Sequence, residues 1–435
     1  MPIIQDLEIT RQLLPLINFT HNRFAQEMLT GILQDLPPDK KGVLEKQAVI
    51  RTIIDNGYVH TKLTYHPHDF EEVYHFLQQL QEQAIRFDDN NLVAGWQLWR
   101  QRSYRFTLRA KLAQAVLFFE QVDRYFRDVQ AESFAGGLLA EPVTQLKTFL
   151  KELDAPSLAP EVRQGNNRLA DEVRLLQLFS RDIRLAALQG FWRAFFLYEA
   201  WHSLAQAVVQ HNWCLPVFQE EGIHLRQCYH PLLRQPVKND LHSRARVLLL
   251  TGPNMSGKST LLKTLGLCVY LAHAGMGVPA AACSLPFFDD IAVVIQLNDD
   301  LRNGYSHFMM EVQHLKQVVQ TAAAGRCCFA VFDELFRGTN VDDALELSVQ
   351  TIGGLATFPR GFFVISTHLY QLKQLLPPVA AVEAGFIECS LEGKRPVFAY
   401  RLQSGWSDLK IGKLIFEQEG LPLLLQQAAV SSLKK

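Results

Sequence analysis

Apolar positions divide the chain into two textures. From residue 90 to about residue 130, apolar side chains recur at three- and four-residue spacing: Trp96, Trp99, Phe106, Leu112, Val116, Phe119, Val122 and Phe126. From residue 163 to about residue 210 a second run behaves alike, through Leu169, Val173, Leu176, Phe179, Ile183, Leu188, Phe191, Phe195 and Tyr198. That spacing gathers side chains on one face of a helix, so both runs predict long helices packed as a bundle or arm. Between them, Gly136, Gly137, Pro142, Pro156 and Pro160 predict a turn-around with one short helix. Pro37 and Pro38 separate two shorter helical runs near the start.

The texture changes at about residues 215–222. Short apolar runs now alternate with helical ones: RVLLLT at 246–251, CCFAVF at 327–332 and FFVIS at 362–366. Runs of this length without polar alternation suit strands buried on both faces. Strand, helix, strand, helix in succession predicts a largely parallel sheet. The expected fold class is therefore α plus α/β, with a helical domain over 1–220 and an α/β domain over 221–435.

Composition adds bounds. The chain has 435 residues, 48% hydrophobic and 20% charged, which is ordinary globular material for two or three domains. Lys plus Arg is 43 against 44 Asp plus Glu, a net charge of −1. That excludes a globally basic, histone-like binder but not a local basic face. Seven scattered cysteines with no CxxC pair point to a reducing, cytoplasmic compartment. No apolar run is long enough to span a membrane, and the N-terminus carries no secretory pattern.

The chemistry lies in the second half. Gly252-Pro253-Asn254-Met255-Ser256-Gly257-Lys258-Ser259 is a G-x-x-x-x-G-K-S phosphate loop, followed by Thr260 and a helical run. Its glycines let the backbone N–H groups curl round phosphates, Lys258 reaches the terminal phosphate oxygens, and Ser259 can hold Mg²⁺. The strand CCFAVF runs into Asp333 and Glu334. Asp333 is expected in the metal shell, and Glu334 is expected to orient or activate the attacking water. The strand FFVIS ends at Thr367-His368, where His368 can reach the terminal phosphate or that water. These residues call for a phosphate-bearing ligand and Mg²⁺, with Glu334, His368 and Lys258 as the catalytic set.

TGPNMSGKST, FDELFRGTN and STHLYQL, in this order, resemble the ATPase domain of the MutS family of DNA mismatch repair proteins. Tyr229-His230-Pro231, the segment from Asn298 to Glu311, and Gly405-Trp406-Ser407-Asp408 are similar to further family blocks. The resemblance implies that the phosphate-bearing ligand is ATP, in an ABC-type ATPase in which two subunits sandwich the nucleotides. It implies that Ser306 approaches the terminal phosphate across a homodimer, and that a C-terminal helical segment serves dimerisation. It also implies an aromatic stacked on adenine; Val237 stands where that residue is usual, leaving Tyr229 or His230 for the task. The family usually has glycine where this chain has Phe336.

The first half resembles the family's helical core and lever, beginning almost at residue 1. The expectation is a chain without the mismatch-reading and connector domains, its clamp reduced. The implied role is ATP-dependent binding of double-stranded or branched DNA in repair or recombination, alongside other repair factors; the alternative is an ATP-gated clamp on a protein or RNA. For DNA contact, Arg100, Arg102, Arg105 and Arg109 lie among aromatics in a basic segment. Two readings of that segment stand: a phosphate-binding face, or a solvated helix face with its aromatics in the core. His60, His66 and His68 read as surface histidines near a turn rather than metal ligands.

Overall fold

The computed structural model describes residues 3–61, 63, 65–82, 91–100, 102–165, 168–253, 255–295, 307–376, 379–392, 395–407 and 416–425. They form two compact units: one of Leu16–Asp35 with Leu44–Gln210, the other of Met1–Pro15, Leu36–Val43 and His211–Lys435.

The first unit is helical. The N-terminal helices are α1 (Leu14–Ile17), α2 (Arg23–Gln34), α3 (Lys40–Asp55) and α4 (Pro67–Gln81). Then come α5 (Asn91–Arg100), α6 (Arg102–Phe126), α7 (Ala140–Leu153), α8 (Ala155–Gln164), α9 (Leu169–Gln177) and α10 (Leu185–Gln210). Asn22 starts α2 by accepting the Ala25 N–H on its side chain, at 2.8 Å. Sixteen residues of α10 are buried, on every side of the helix, as expected of a central helix. Phe119 of α6 packs edge-on against Phe191 of α10, with ring centroids 5.2 Å apart. Glu199 of α10 is buried yet satisfied: the His21 N–H donates to it at 2.6 Å, Tyr65 Oη at 2.6 Å and Asn22 Nδ2 at 2.8 Å.

Three expectations change here. The second apolar run is not one helix: Gly165 turns left-handed (φ 67°) at the end of α8, and the chain is extended at Ile183 before α10. The proline-rich stretch holds two helices, not one. Pro142 and Pro156 fall in the first turns of α7 and α8, where a missing N–H costs nothing. Trp96, Trp99 and Phe106, read as packed positions, are exposed. Ala94 and Leu98 fill the inner face of α5 instead, and Gly95 lies against Leu169 and Val173 of α9.

The second unit holds two mixed sheets. Its strands are β1 (Val217–Phe218), β2 (Ile223–Cys228), β3 (Asn239–Ser243), β4 (Val247–Thr251), β5 (Ala282–Leu285) and β6 (Asp290–Val294). They continue with β7 (Cys328–Phe332), β8 (Phe362–Ser366), β9 (Val382–Glu392) and β10 (Arg395–Ser404). The large sheet runs β10-β9-β4-β8-β7-β6, parallel except at β10/β9. Every residue of β4, β7 and β8 is buried, as their unbroken apolar runs predict. Its helices are α11 (Lys258–His273), α12 (His307–Ala323), α13 (Val341–Ala356) and α14 (Leu372–Leu375).

The small sheet, ordered β1-β5-β2-β3, pairs short strands whose alternation is too brief to stand out in the sequence. The N-terminus also departs from the 1–220 expectation. Ile3 pairs with the edge strand β6, donating to Ile291 O at 2.9 Å and accepting from Val293 N at 2.6 Å. An edge strand carries unpaired backbone groups, and Ile3 satisfies two of them while filling the sheet's core. Among the described residues, no helix is long and apolar enough to cross a membrane.

Candidate active site

β4 ends at Thr251 and the chain turns into α11 through three left-handed residues: Gly252 (φ 134°), Met255 (φ 71°) and Gly257 (φ 101°). Glycine is required at 257 for a second reason, since a Cβ there would come within 3.1 Å of the Tyr400 ring. Pro253 and Ser256 are buried in the loop, and Ser256 Oγ has no hydrogen-bond partner among the described residues. Asn254 lies outside the described residues, as does Ser306. Lys258 opens α11 with its Nζ folded back onto the loop, donating to Gly252 O at 2.9 Å and Pro253 O at 3.2 Å. Burial pushes its pKa down, and the carboxylates of Glu334 and Asp333 oppose that shift.

The acidic pair follows β7. Ser259 Oγ donates to Asp333 Oδ2 at 2.5 Å, and Ser366 Oγ at the end of β8 donates to Asp333 Oδ1. Ser366 Oγ also accepts the Glu334 N–H at 2.9 Å, so one hydroxyl ties both acidic residues to β8. Ser366 escaped the sequence reading, although it is the one polar residue of FFVIS. Glu334 takes a left-handed backbone (φ 53°), which sparse occupancy marks as strained for a non-glycine residue. Two cations and an imidazole surround its carboxylate: Lys258 Nζ at 3.8 Å and His368 Nδ1 at 3.9 Å from Oε1, and Arg337 Nη1 at 3.5 Å from Oε2.

Phe336, standing where the resemblance puts glycine, also turns left-handed (φ 67°). Its N–H donates to Glu311 Oε2 of α12 at 3.1 Å, and Glu311 is buried. A buried acceptor and the packing of the Phe336 ring offset the cost of that backbone. The segment after Asp333 is thus held from two sides, by β8 and by α12.

Beside the loop lies a cavity of about 310 Å³, lined among others by Tyr229, His230, Val237, Gly257, Thr260 and Tyr400. Burial pushes the His230 pKa down, and the Lys263 charge adds to it. Tyr400 was missed by the sequence reading. It sits in a bulge of β10 between Phe398 and Leu402, with φ 56°. Asn239 of β3 clamps the bulge: its Nδ2 donates to Tyr400 O at 3.0 Å, and its Oδ1 accepts from Leu402 N at 2.7 Å. The bulge re-aims the Tyr400 ring at Gly257.

The four arginines read as DNA contacts all belong to the helical unit, and they part company there. Arg105 Nε donates to the buried Glu172 at 2.6 Å, and Arg109 lies 3.9 Å from the same carboxylate. Arg100 stands over the Trp96 ring at 5.5 Å, and Arg102 is exposed. His66 caps α4 by accepting the His68 N–H. Among the described residues, no group of three His, Cys, Asp or Glu side chains is arranged to hold a metal.

Residues 248–435 match the family described as MutS domain V. The MutS domain V match begins inside β4, so it takes in the loop, Lys258, Ser259, Asp333, Glu334, Ser366, His368 and Tyr400; His230 precedes it. The chain is also 32% identical over 287 residues to the DNA mismatch repair protein MutS of Pelotomaculum thermopropionicum. That alignment covers 63% of this chain and 32% of the relative, so the chain spans about a third of that protein's length.

Proposed function

We propose that the protein is a MutS-like, Mg²⁺-dependent ATPase whose sites are completed across a homodimer, and that ATP turnover gates its hold on double-stranded or branched DNA. One observation carries the ATPase reading: Lys258, Ser259, Asp333 and Glu334 converge at the carboxyl ends of the parallel strands β4 and β7, within the stretch that matches MutS domain V. The left-handed glycines, the buried Ser256 hydroxyl with no hydrogen-bond partner among the described residues, and an ammonium resting on two carbonyls suit a phosphate cradle. Ser259 and Asp333 supply a hydroxyl and a carboxylate in contact, the hard oxygen donors that Mg²⁺ takes beside phosphate oxygens. When bound, the metal neutralises charge on those oxygens.

In this reading Lys258 leaves its carbonyls for the terminal phosphates, and Glu334 orients the attacking water. His368 and Arg337 flank the carboxylate, Ser306 acts from the partner subunit, and Tyr400 with Tyr229 and His230 receives the base. Residues from about 221 onward form the ATPase, and the helical part serves as core and lever for other repair factors to read. Glu334→Gln tests it: fluorescent ATP analogues should still bind, while turnover falls at least about a hundredfold. Unchanged turnover sinks the water-orienting role.

A further inference from the structure

The outer face of α5 and the start of α6 are built against the usual rule. Small or aliphatic residues (Ala94, Leu98) are buried inside, and the largest rings stand outside. Trp96 and Trp99 are 55% and 58% exposed, and Phe106 on α6 is 76% exposed. Trp96 and Trp99 are three residues apart, so they share one face of α5, and Arg100 covers the Trp96 ring at 5.5 Å. Exposed aromatics at this density mark an interaction surface rather than ordinary scatter.

Charge selects the occupant. Residues 91–111 hold Arg100, Arg102, Arg105, Arg109 and Lys111 and no Asp or Glu. Glu172 of α9 engages Arg105 and Arg109, which leaves Arg100 and Arg102 as the exposed cations beside the rings. An anionic partner with flat apolar faces fits this surface, and a nucleic-acid strand has both. In a closed duplex the base faces are stacked on one another, so only unpaired bases can lie on indole rings. We propose that Trp96, Trp99 and Phe106, with Arg100 and Arg102, form a stacking platform for single-stranded or unpaired DNA. This rests on the nucleic-acid part of the proposed function and narrows it.

The test uses the full chain, a labelled oligo(dT) and a blunt duplex of equal length, read by fluorescence anisotropy and tryptophan quenching across salt. The expected result is tighter binding of the single strand, with quenching. Trp96→Ala and Trp99→Ala should each weaken it about tenfold, with basal ATP turnover unchanged. Trp96→Phe and Trp99→Phe should recover most of that loss, because a phenyl ring still stacks; circular dichroism checks that all variants fold. Arg100→Gln with Arg102→Gln should weaken binding and flatten its salt dependence. Single-stranded DNA bound no better than the duplex, or bound equally by wild type and the tryptophan-to-alanine variants, would overturn the platform and leave ATP-gated DNA binding standing. No DNA bound at low salt, with turnover intact, would overturn both. A change of oligomeric state in the alanine variants without DNA would assign the face to a protein partner and overturn the proposal.

Discussion

Phe119 and Glu334 are both withdrawn from solvent, and for different reasons. Phe119 sits among Phe149, Phe179, Phe191 and Trp192, at centroid distances of 5.2 to 6.1 Å. Its backbone is ordinary helix, and its position follows from helical spacing and apolar burial. Glu334 carries a charge, stands on left-handed backbone and is held by Ser366, Lys258, Arg337 and His368. The first arrangement gains stability from every neighbour. The second keeps strain and unlike charges poised for a ligand, and the folded core around it meets that cost.

The comparison can be broken at several points. The largest expected effect is functional: Lys258→Ala should abolish ATP binding and lower turnover by about a thousandfold or more, while stability changes by about 1 kcal/mol or less. Nucleotide binding by equilibrium dialysis and urea melting measure the two together. A large loss of stability would mean the loop is held by Lys258 for folding, not for phosphate. Phe119→Ala should do the reverse, costing about 3 to 5 kcal/mol by urea denaturation while ATP affinity is kept.

A pH effect follows in size. His273 of α11 is buried, with Nδ1 donating to Val269 O at 2.8 Å and Nε2 accepting the Phe288 N–H at 2.8 Å, so the neutral ring is required. Burial pushes its pKa down to about 4 from an ordinary 6.5. The unfolded chain therefore takes up the proton first. Stability is full above pH about 6.5 and falls as the pH drops toward about 4, by about 3 kcal/mol in all. Thermal melts at pH 7 and pH 5 check the sign, and His273→Gln should flatten the dependence. The smallest effect is expected at Asn239→Ala, which frees the Tyr400 bulge. The KM for ATP should rise about fivefold with kcat unchanged; a fall in kcat alone would assign the clamp to catalysis instead.

Much of this was legible in the residues. RVLLLT, CCFAVF and FFVIS announced β4, β7 and β8 nearly to the residue, because strands buried on both faces need unbroken apolar runs. The glycine-bearing turn into α11 and the place of Asp333 and Glu334 at the end of β7 were legible for a related reason: a left-handed turn calls for glycine at fixed local spacing, and a strand's end is marked where its apolar run stops. The helical run after residue 163 was less so, because an apolar period survives a break. Gly165 ends α8 without disturbing the period on either side.

Local rules reach about one turn or one strand, and within that reach the sequence alone determined the texture of each half, the central strands, the loop and the acidic pair. Only the tertiary structure decided what each of these meets. It brought Ser366 to Asp333 from 33 residues away, and Asn239 to Tyr400 from 161. It let Phe336 take a backbone that glycine would adopt freely, because Glu311 on another helix accepts its N–H. It turned Trp96 and Trp99 outward, while Ala94 and Leu98 were buried and Gly95 was laid against Leu169 and Val173 of α9. A side chain's type is written in the chain, but the partner that satisfies or exposes it is set by packing between segments far apart in sequence.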